Sequence, residues 1–300
     1  MHKFLRAVGI PDEGSQKLVR GLLKDAVTRP SSRSYITDRS DDSCMLAEYR
    51  LELGPGFGLC AFGSYDEDGS FYLEYYFPYL RRDYVSTTED VTVEERLEDE
   101  SFACVCDDLK VGVTLIFRLQ NTVDYLKRET AGLLPMAGTS VSLSALSTEG
   151  TIMLPIQKSA SDRREKQRAE QYREGLMNKA RTGDEAAMKD LTISDMDTYA
   201  VILDKIQDND IYSLVDSHFM PTGVECDLYN VMGEIHHCEV VQNRVTGQEL
   251  YRMVIDCNEL YFDLLINKKD LCGEPAVGRR FKGVIWLQGR ISFPDEGEIL

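Results

Sequence analysis

A chain of 300 residues, 43% hydrophobic and 28% charged, is long enough for two domains and too apolar for wholesale disorder. Its 51 acidic residues outnumber 34 basic ones, and the resulting net charge of −17 works against chain-wide attraction to nucleic-acid backbones or anionic membranes. No run approaches the ~20 apolar residues of a membrane-crossing helix, so none is expected.

Residues 1–10 are basic at the start, but Arg6 breaks the apolar run and Pro11 ends it. A secretory core is longer and uninterrupted, so a cytoplasmic location is expected. Leu18, Val19, Leu22, Leu23, Ala26 and Val27 recur at helical spacing and predict a core helix over 14–29. Ser15 is its N-cap and Pro30 its stop.

From Cys44 to Pro155 the period changes to two. Stretches 45–53, 57–65 and 71–79 read as an antiparallel meander, with turns at Gly54-Pro55-Gly56 and Asp66-Glu67-Asp68-Gly69. Stretches 101–106 and 111–119 add two strands, and the acidic stretch 83–100 that separates them from the meander reads as a surface excursion. Residues 121–128 predict a short helix. Stretches 139–146 and 151–156 predict a hairpin around Ser147-Thr148-Glu149-Gly150.

Residues 162–181 are polar almost all round, with Ala169, Tyr172, Leu176 and Ala180 as a weak stripe. Charge pairs such as Asp162 with Lys166 suit a solvent-exposed connector helix. Capping boxes at Thr182-Gly183-Asp184-Glu185 and Ser194-Asp195-Met196-Asp197 predict two short helices between 183 and 208. Strands then return: a long run over 224–241 interrupted by Gly233, a pair over 249–255 and 260–266, and a closing strand pair within 281–293. This order is compatible with a small five-stranded barrel of the OB type, and a sheet packed on the connector helices fits the same pattern.

The expected fold is therefore α+β. An N-terminal antiparallel-sheet domain covers 1–157, a helical connector 158–210, and a β-rich, OB-like domain 211–300.

Few residue sets suggest chemistry. Gly54-Pro55-Gly56-Phe57-Gly58 is followed by a strand and no Lys, so it reads as a turn and not a phosphate loop. Cys104 and Cys106 share one strand face, while His236 and His237 point to opposite sides of theirs. Neither spacing, nor the addition of Cys238, matches a zinc module. Asp256 and Glu259 flank a tight turn and Asp263 lies on the next strand; this arrangement offers a carboxylate pair, but capping the turn is the commoner role of Asp. No nucleophile elbow, metalloprotease helix or Walker loop is present, so no catalytic residue, cofactor or metal is expected. The best interaction candidate is Arg279, Arg280 and Lys282 beside Phe281 and Trp286, a basic cluster with aromatics that suits a single nucleic-acid strand. Against it, residues 211–300 hold 8 basic and 14 acidic side chains, a net of −6.

Three stretches also carry a resemblance: Met1 to Gly9 (MHKFLRAVG), Phe219 to Asp227 (FMPTGVECD), and Gly273 to Gly289 (GEPAVGRRFKGVIWLQG). They resemble an uncharacterised, domain-of-unknown-function family of Firmicute proteins of about this chain's length. The resemblance implies a soluble bacterial protein and supplies no activity, cofactor or site residue. The expected function is that of a non-enzymatic cytoplasmic protein with a macromolecular partner, a protein foremost and not a membrane. The alternatives are single-stranded nucleic-acid binding through the C-terminal β domain and, behind it, a hydrolase or transferase.

Overall fold

The computed structural model describes residues 2–37, 45–96, 101–108, 111–155, 217–222 and 227–294, with ten single positions between 168 and 190. The chain forms two compact units, one from 1–153 with 217–300 and one from 154–216.

In the first unit a four-stranded antiparallel sheet runs β1 (Ser32–Thr37), β2 (Met45–Gly54), β3 (Phe57–Tyr65), β4 (Phe71–Leu80) in spatial order. The three strands expected from alternation are there, and β1 adds an edge that the sequence pattern hid. Glycine at position 56 takes φ +71°, the left-handed conformation that its hairpin turn requires. Helix α1 (Gln16–Thr28) lies on one face of this sheet, burying Val19, Leu22 and Ala26 over a surface that includes Ala47, Tyr49 and Ala61. It ends just before Pro30, as a residue preceding proline resists the helical conformation.

The second sheet has eleven strands. Beyond β5 (Val91–Arg96), β6 (Ser101–Asp108) and β7 (Val113–Leu119) come helix α2 (Thr122–Thr130) and the strands β8 (Ser140–Ser147) and β9 (Gly150–Met153). The C-terminal part contributes β10 (His218–Pro221), β11 (Leu228–Gln242), β12 (Glu249–Cys257), β13 (Leu260–Asn267), β14 (Leu271–Cys272) and β15 (Arg280–Ser292). The pairings β11–β12, β12–β13, β13–β8, β8–β15 and β15–β11 close a ring of five strands. Only the β13–β8 contact within the ring is parallel. Strand β11 bends to serve two neighbours: Leu228 to Glu234 pair with β15, and Glu234 to Gln242 pair with β12. At the bend a Cβ on Gly233 would stand 2.5 Å from the Asp256 carbonyl oxygen, so only glycine fits.

Three expectations give way here. Residues 211–300 do not stand apart, because the fifth wall of their ring is β8 from the N-terminal half. Leu143 and Ala145 of β8 pack inside with Phe262, Leu264, Ile266 and Phe281. Strands β8 and β9 are not a hairpin: both lie antiparallel along one edge of β15, as a single path interrupted at Thr148 and Glu149. Ser147 marks the interruption, its Oγ donating to the Glu149 and Val284 carbonyls at 2.7 Å each. Finally, 83–100 is no mere excursion. Val91 and Val93 of β5 pack on the core, while Glu94 on the same strand faces out. The density of acidic residues masked that alternation.

Between the ring and the four-stranded sheet lies a short 3-10 helix, Lys3–Val8. Phe4, Leu5, Ala7, Val8 and Ile10 are all at most 4% exposed. They fill the space between Trp286, Leu250 and Leu265 on the ring's outer wall and Phe57, Phe77 and Leu80 of the sheet. Burying a large apolar side chain contributes roughly 1.5–3 kcal/mol, so this plug holds two layers together. Asn243 Nδ2 donates to Val8 O at 2.7 Å and Thr246 Oγ1 to Gly9 O at 2.7 Å, which pins the β11–β12 turn to it.

In the second unit the described positions from 168 to 179 and from 186 to 190 are helical. Asp184 Oδ1 accepts from the backbone N–H groups of Ala186 (3.0 Å) and Ala187 (3.2 Å), so Asp184 is the cap, two residues beyond the expected Thr182. Leu176 and Ala187 are buried, and Tyr172, placed in the same stripe by sequence, is exposed. The second capping box, at 194–197, lies outside the described residues.

Candidate functional site

The basic and aromatic cluster was the natural place to look, and β15 explains where its members go. Along this strand Phe281, Ile285 and Leu287 point into the ring, leaving Arg280, Lys282, Trp286 and Gln288 on the outer wall. Trp286 is only 4% exposed. Its ring stacks on Phe4 (5.3 Å, 17°), sits 4.6 Å from the His2 ring, and meets Phe77 edge-on at 6.4 Å. A buried indole N–H needs an acceptor, and Nε1 donates to Asp227 Oδ2 at 2.9 Å. Arg280 is buried too, with Nη1 3.7 Å from Met232 Sδ and its backbone opposite Glu234. Arg279 is half-buried and donates through Nη1 to the Glu274 carbonyl at 2.6 Å, and Lys282 is half-buried between Thr151 and Met232 in register. The expected open patch is therefore divided: two cations keep part of their exposure, and the aromatic is inside. The 3-10 plug covers it, a contact that alternation along β15 cannot reveal.

The outer wall instead carries a seam of polar and charged groups against the four-stranded sheet. Asp263 accepts from Arg82 on one oxygen and from Arg252 on the other, the latter through Nη2 at 2.8 Å and Nε at 3.1 Å. Arg252 Nη2 also donates to the Arg81 carbonyl at 3.1 Å, and Arg82 Nε to the Tyr84 carbonyl at 2.9 Å. Further along, Arg50 Nη2 donates to Glu48 Oε1 at 2.9 Å and to Gln120 O at 2.7 Å, with its guanidinium over the Tyr79 ring. Burial pushes the Glu48 carboxyl above the usual carboxylate range, and Arg50 pulls against that. Burial works against the Arg50 charge, and the adjacent Glu48 more than restores it. Arg118 rests its guanidinium on the rings of Tyr75 (4.8 Å) and Phe77 (4.9 Å).

Two glutamines complete the seam. Gln288 Nε2 donates to Pro78 O at 2.8 Å. Gln120 Nε2 lies within hydrogen-bond distance of Leu80 O (2.8 Å), Gln288 Oε1 (2.9 Å) and Ser144 Oγ (3.1 Å). Ser144 Oγ donates to Leu80 O at 2.6 Å. These side chains satisfy the outward backbone groups of β4's second half, standing in for a neighbouring strand. The sequence reading missed the whole seam. It placed Asp263 on the strand after a turn and weighed it as one of a carboxylate pair, because its partner Arg82 lies 181 positions away.

The thiols and histidines remain. Cys104 and Cys106 do share a face of β6, inside the ring's core. Burial raises both thiols, Cys106 to about 12 with help from Asp108. His236 sits at a bulge in β11, its Nε2 3.3 Å from Asp256 Oδ2 and its ring edge-on to Tyr261 at 5.3 Å. Asp256 caps its turn as expected, its Oδ1 accepting from the Glu259 N–H at 2.8 Å. Burial, then Asp256, pushes the Tyr261 phenol up to about 12. Among the described residues no three His, Cys, Asp or Glu side chains are arranged to hold a metal ion. No described helix is long and apolar enough to cross a membrane.

Comparison with known proteins matches no curated protein and no solved structure. One family model does match, and it spans residues 5–289, from inside the 3-10 plug to a point within β15. By that match the chain belongs to the family described as "Domain of unknown function, E. rectale Gene description (DUF3881)".

Proposed function

We propose that the protein is a non-enzymatic binding protein that presents the inserted unit, residues 154–216, to a protein partner. The observation that carries this reading is where that unit enters and leaves the sheet. Met153 of β9 faces Arg280 on one edge of β15, and His218 of β10 faces Met232 on the far edge of β11. The two ends are thus three strand spacings apart, roughly 14 Å. The ring closes through β8 and needs no strand from the insertion. A unit carried on a finished scaffold is placed to be recognised, much as binding loops are.

In the same reading the ring is an OB-like barrel, supported by the long bent β11, the closed run of pairings and the single parallel contact. Its last strand would be β8, supplied from earlier in the chain. The outer wall at β12, β13 and β15 lies under the four-stranded sheet and the plug, which leaves a nucleic-acid strand no stacked aromatic to grip. A hydrolase or transferase finds little support, since the carboxylates and guanidiniums of the seam are engaged with one another. A cytoplasmic setting fits the six described cysteines, all free thiols.

The test replaces 155–216 by about eight Gly/Ser residues, enough to span the gap. The shortened chain is expected to keep the fluorescence of its buried Trp286 and to lose the proteins that cross-link to the full chain. Retention of all partners by the shortened chain, or none with either, overturns the proposal.

A further inference from the structure

The seam makes one half of strand β4 unlike the other. Pro78 and Leu80 turn their backbone groups away from β3 and find Gln288, Gln120 and Ser144. Toward the start of β4 a bulge between Phe62 and Gly63 shifts the phase, so that Gly63 faces Leu73 and Phe62 faces Tyr75. The Tyr72 carbonyl then points at β3, within 1.9 Å of where a Cβ on Gly63 would stand. Leu73 and Phe71 accordingly direct their N–H and C=O groups outward. Among the described residues no side chain caps them, and β4 is the last strand on this side of its sheet. Tyr72 is 59% exposed and Leu73 42%, one on each face of the strand.

We propose that this open half of β4, Phe71 to Tyr76, takes up an extended, basic segment of a partner protein as an added strand. Backbone pairing would supply the affinity, with the apolar side chains on one face of the added strand lying along either Tyr72 or Leu73. Charge selects the occupant. From Tyr65 to Leu80 the chain has no Lys, Arg or His. Asp66, Glu67 and Asp68 lie in the turn that leads into β4, the last two of them exposed. A second copy of this edge would set these carboxylates against their own kind, whereas lysines or arginines would meet them favourably. The bulge limits the added strand to a few residues.

The proposal uses no residue of the inserted unit, so its test can fail alone. A fluorescein-labelled heptapeptide alternating Lys and Val is titrated into the full chain and into the chain shortened at 155–216, with a Glu/Val counterpart as control. With the Lys/Val probe at about ten times its Kd, amide exchange at Phe71 and Leu73 is expected to slow about tenfold in both chains, and less at high salt. The double variant Glu67→Lys with Asp68→Lys, confined to the turn, should weaken binding without altering Trp286 fluorescence. Leu73→Pro, which removes an outward donor, should abolish it. Equal binding of the Glu/Val peptide, protection at other amides, loss in the shortened chain, or concentration-dependent protection without any peptide would each overturn the proposal.

Discussion

Strand β13 shows the two sides of the ring's wall in eight residues. Phe262, Leu264 and Ile266 face inward and are wholly buried among apolar neighbours. Asp263 between them faces outward, equally hidden, and holds two arginines. The inner side is cohesive but indifferent to partner, since any well-shaped apolar group contributes by area. The outer side is selective. Arg82, Arg252, Gln120 and Gln288 can be satisfied in one docking of the four-stranded sheet, and a slip would leave charges and amides buried without partners. The core therefore supplies cohesion, and the seam supplies the register of the four-stranded sheet on the ring.

Substitutions on β13 test that contrast most strongly. Asp263→Ala should destabilise by about 3–5 kcal/mol in urea unfolding, because the buried Arg82 and the partly buried Arg252 lose their shared carboxylate. Leu264→Ala, which leaves only a cavity, should fall at about 2–5 kcal/mol. Replacing Arg82, Asp263 and Arg252 together by apolar residues sharpens the comparison. Stability should return toward the starting value while the exchange of β4 amides becomes heterogeneous, as expected of a seam that specifies more than it stabilises. A smaller loss, about 1–3 kcal/mol, is expected for Gln288→Leu, which strips the partner from Pro78 O and from the Gln120 amide.

The smallest effect appears only in alkali. The folded Cys106 thiol titrates at about 12, above its ordinary value, so the unfolded chain gives up this proton first. The stability it contributes is complete below the ordinary thiol range, about 8.5, and drains away as pH rises toward 12. Unfolding midpoints followed from pH 8 to 11, as an order-of-magnitude window around that range, should fall less steeply in Cys106→Ala. An unchanged slope would mean that the thiol is not shielded by the core.

Much of the local structure was legible beforehand. Strands β2, β3 and β4, the pair β12 and β13, the bend at Gly233 and helix α1 follow from period, turn residues and caps, all properties of neighbouring positions. The four candidate residues on β15 and just before it were legible as a composition, and their fates were not. Arg279 and Lys282 kept part of their exposure, while Arg280 and Trp286 went inside.

By itself, then, the sequence determined which segments become strands and helices, and roughly where each turns, because those choices are made over a few residues by sterics and amphipathic spacing. Only the tertiary structure decided that β8 closes the ring, that residues 4–10 plug the space behind Trp286, and that Asp263 meets Arg82. Each of these joins positions more than a hundred apart, where pairing depends on what else must be buried and satisfied at once. An alternating strand announces that it has two faces. Which face meets water is settled by whatever packs against it.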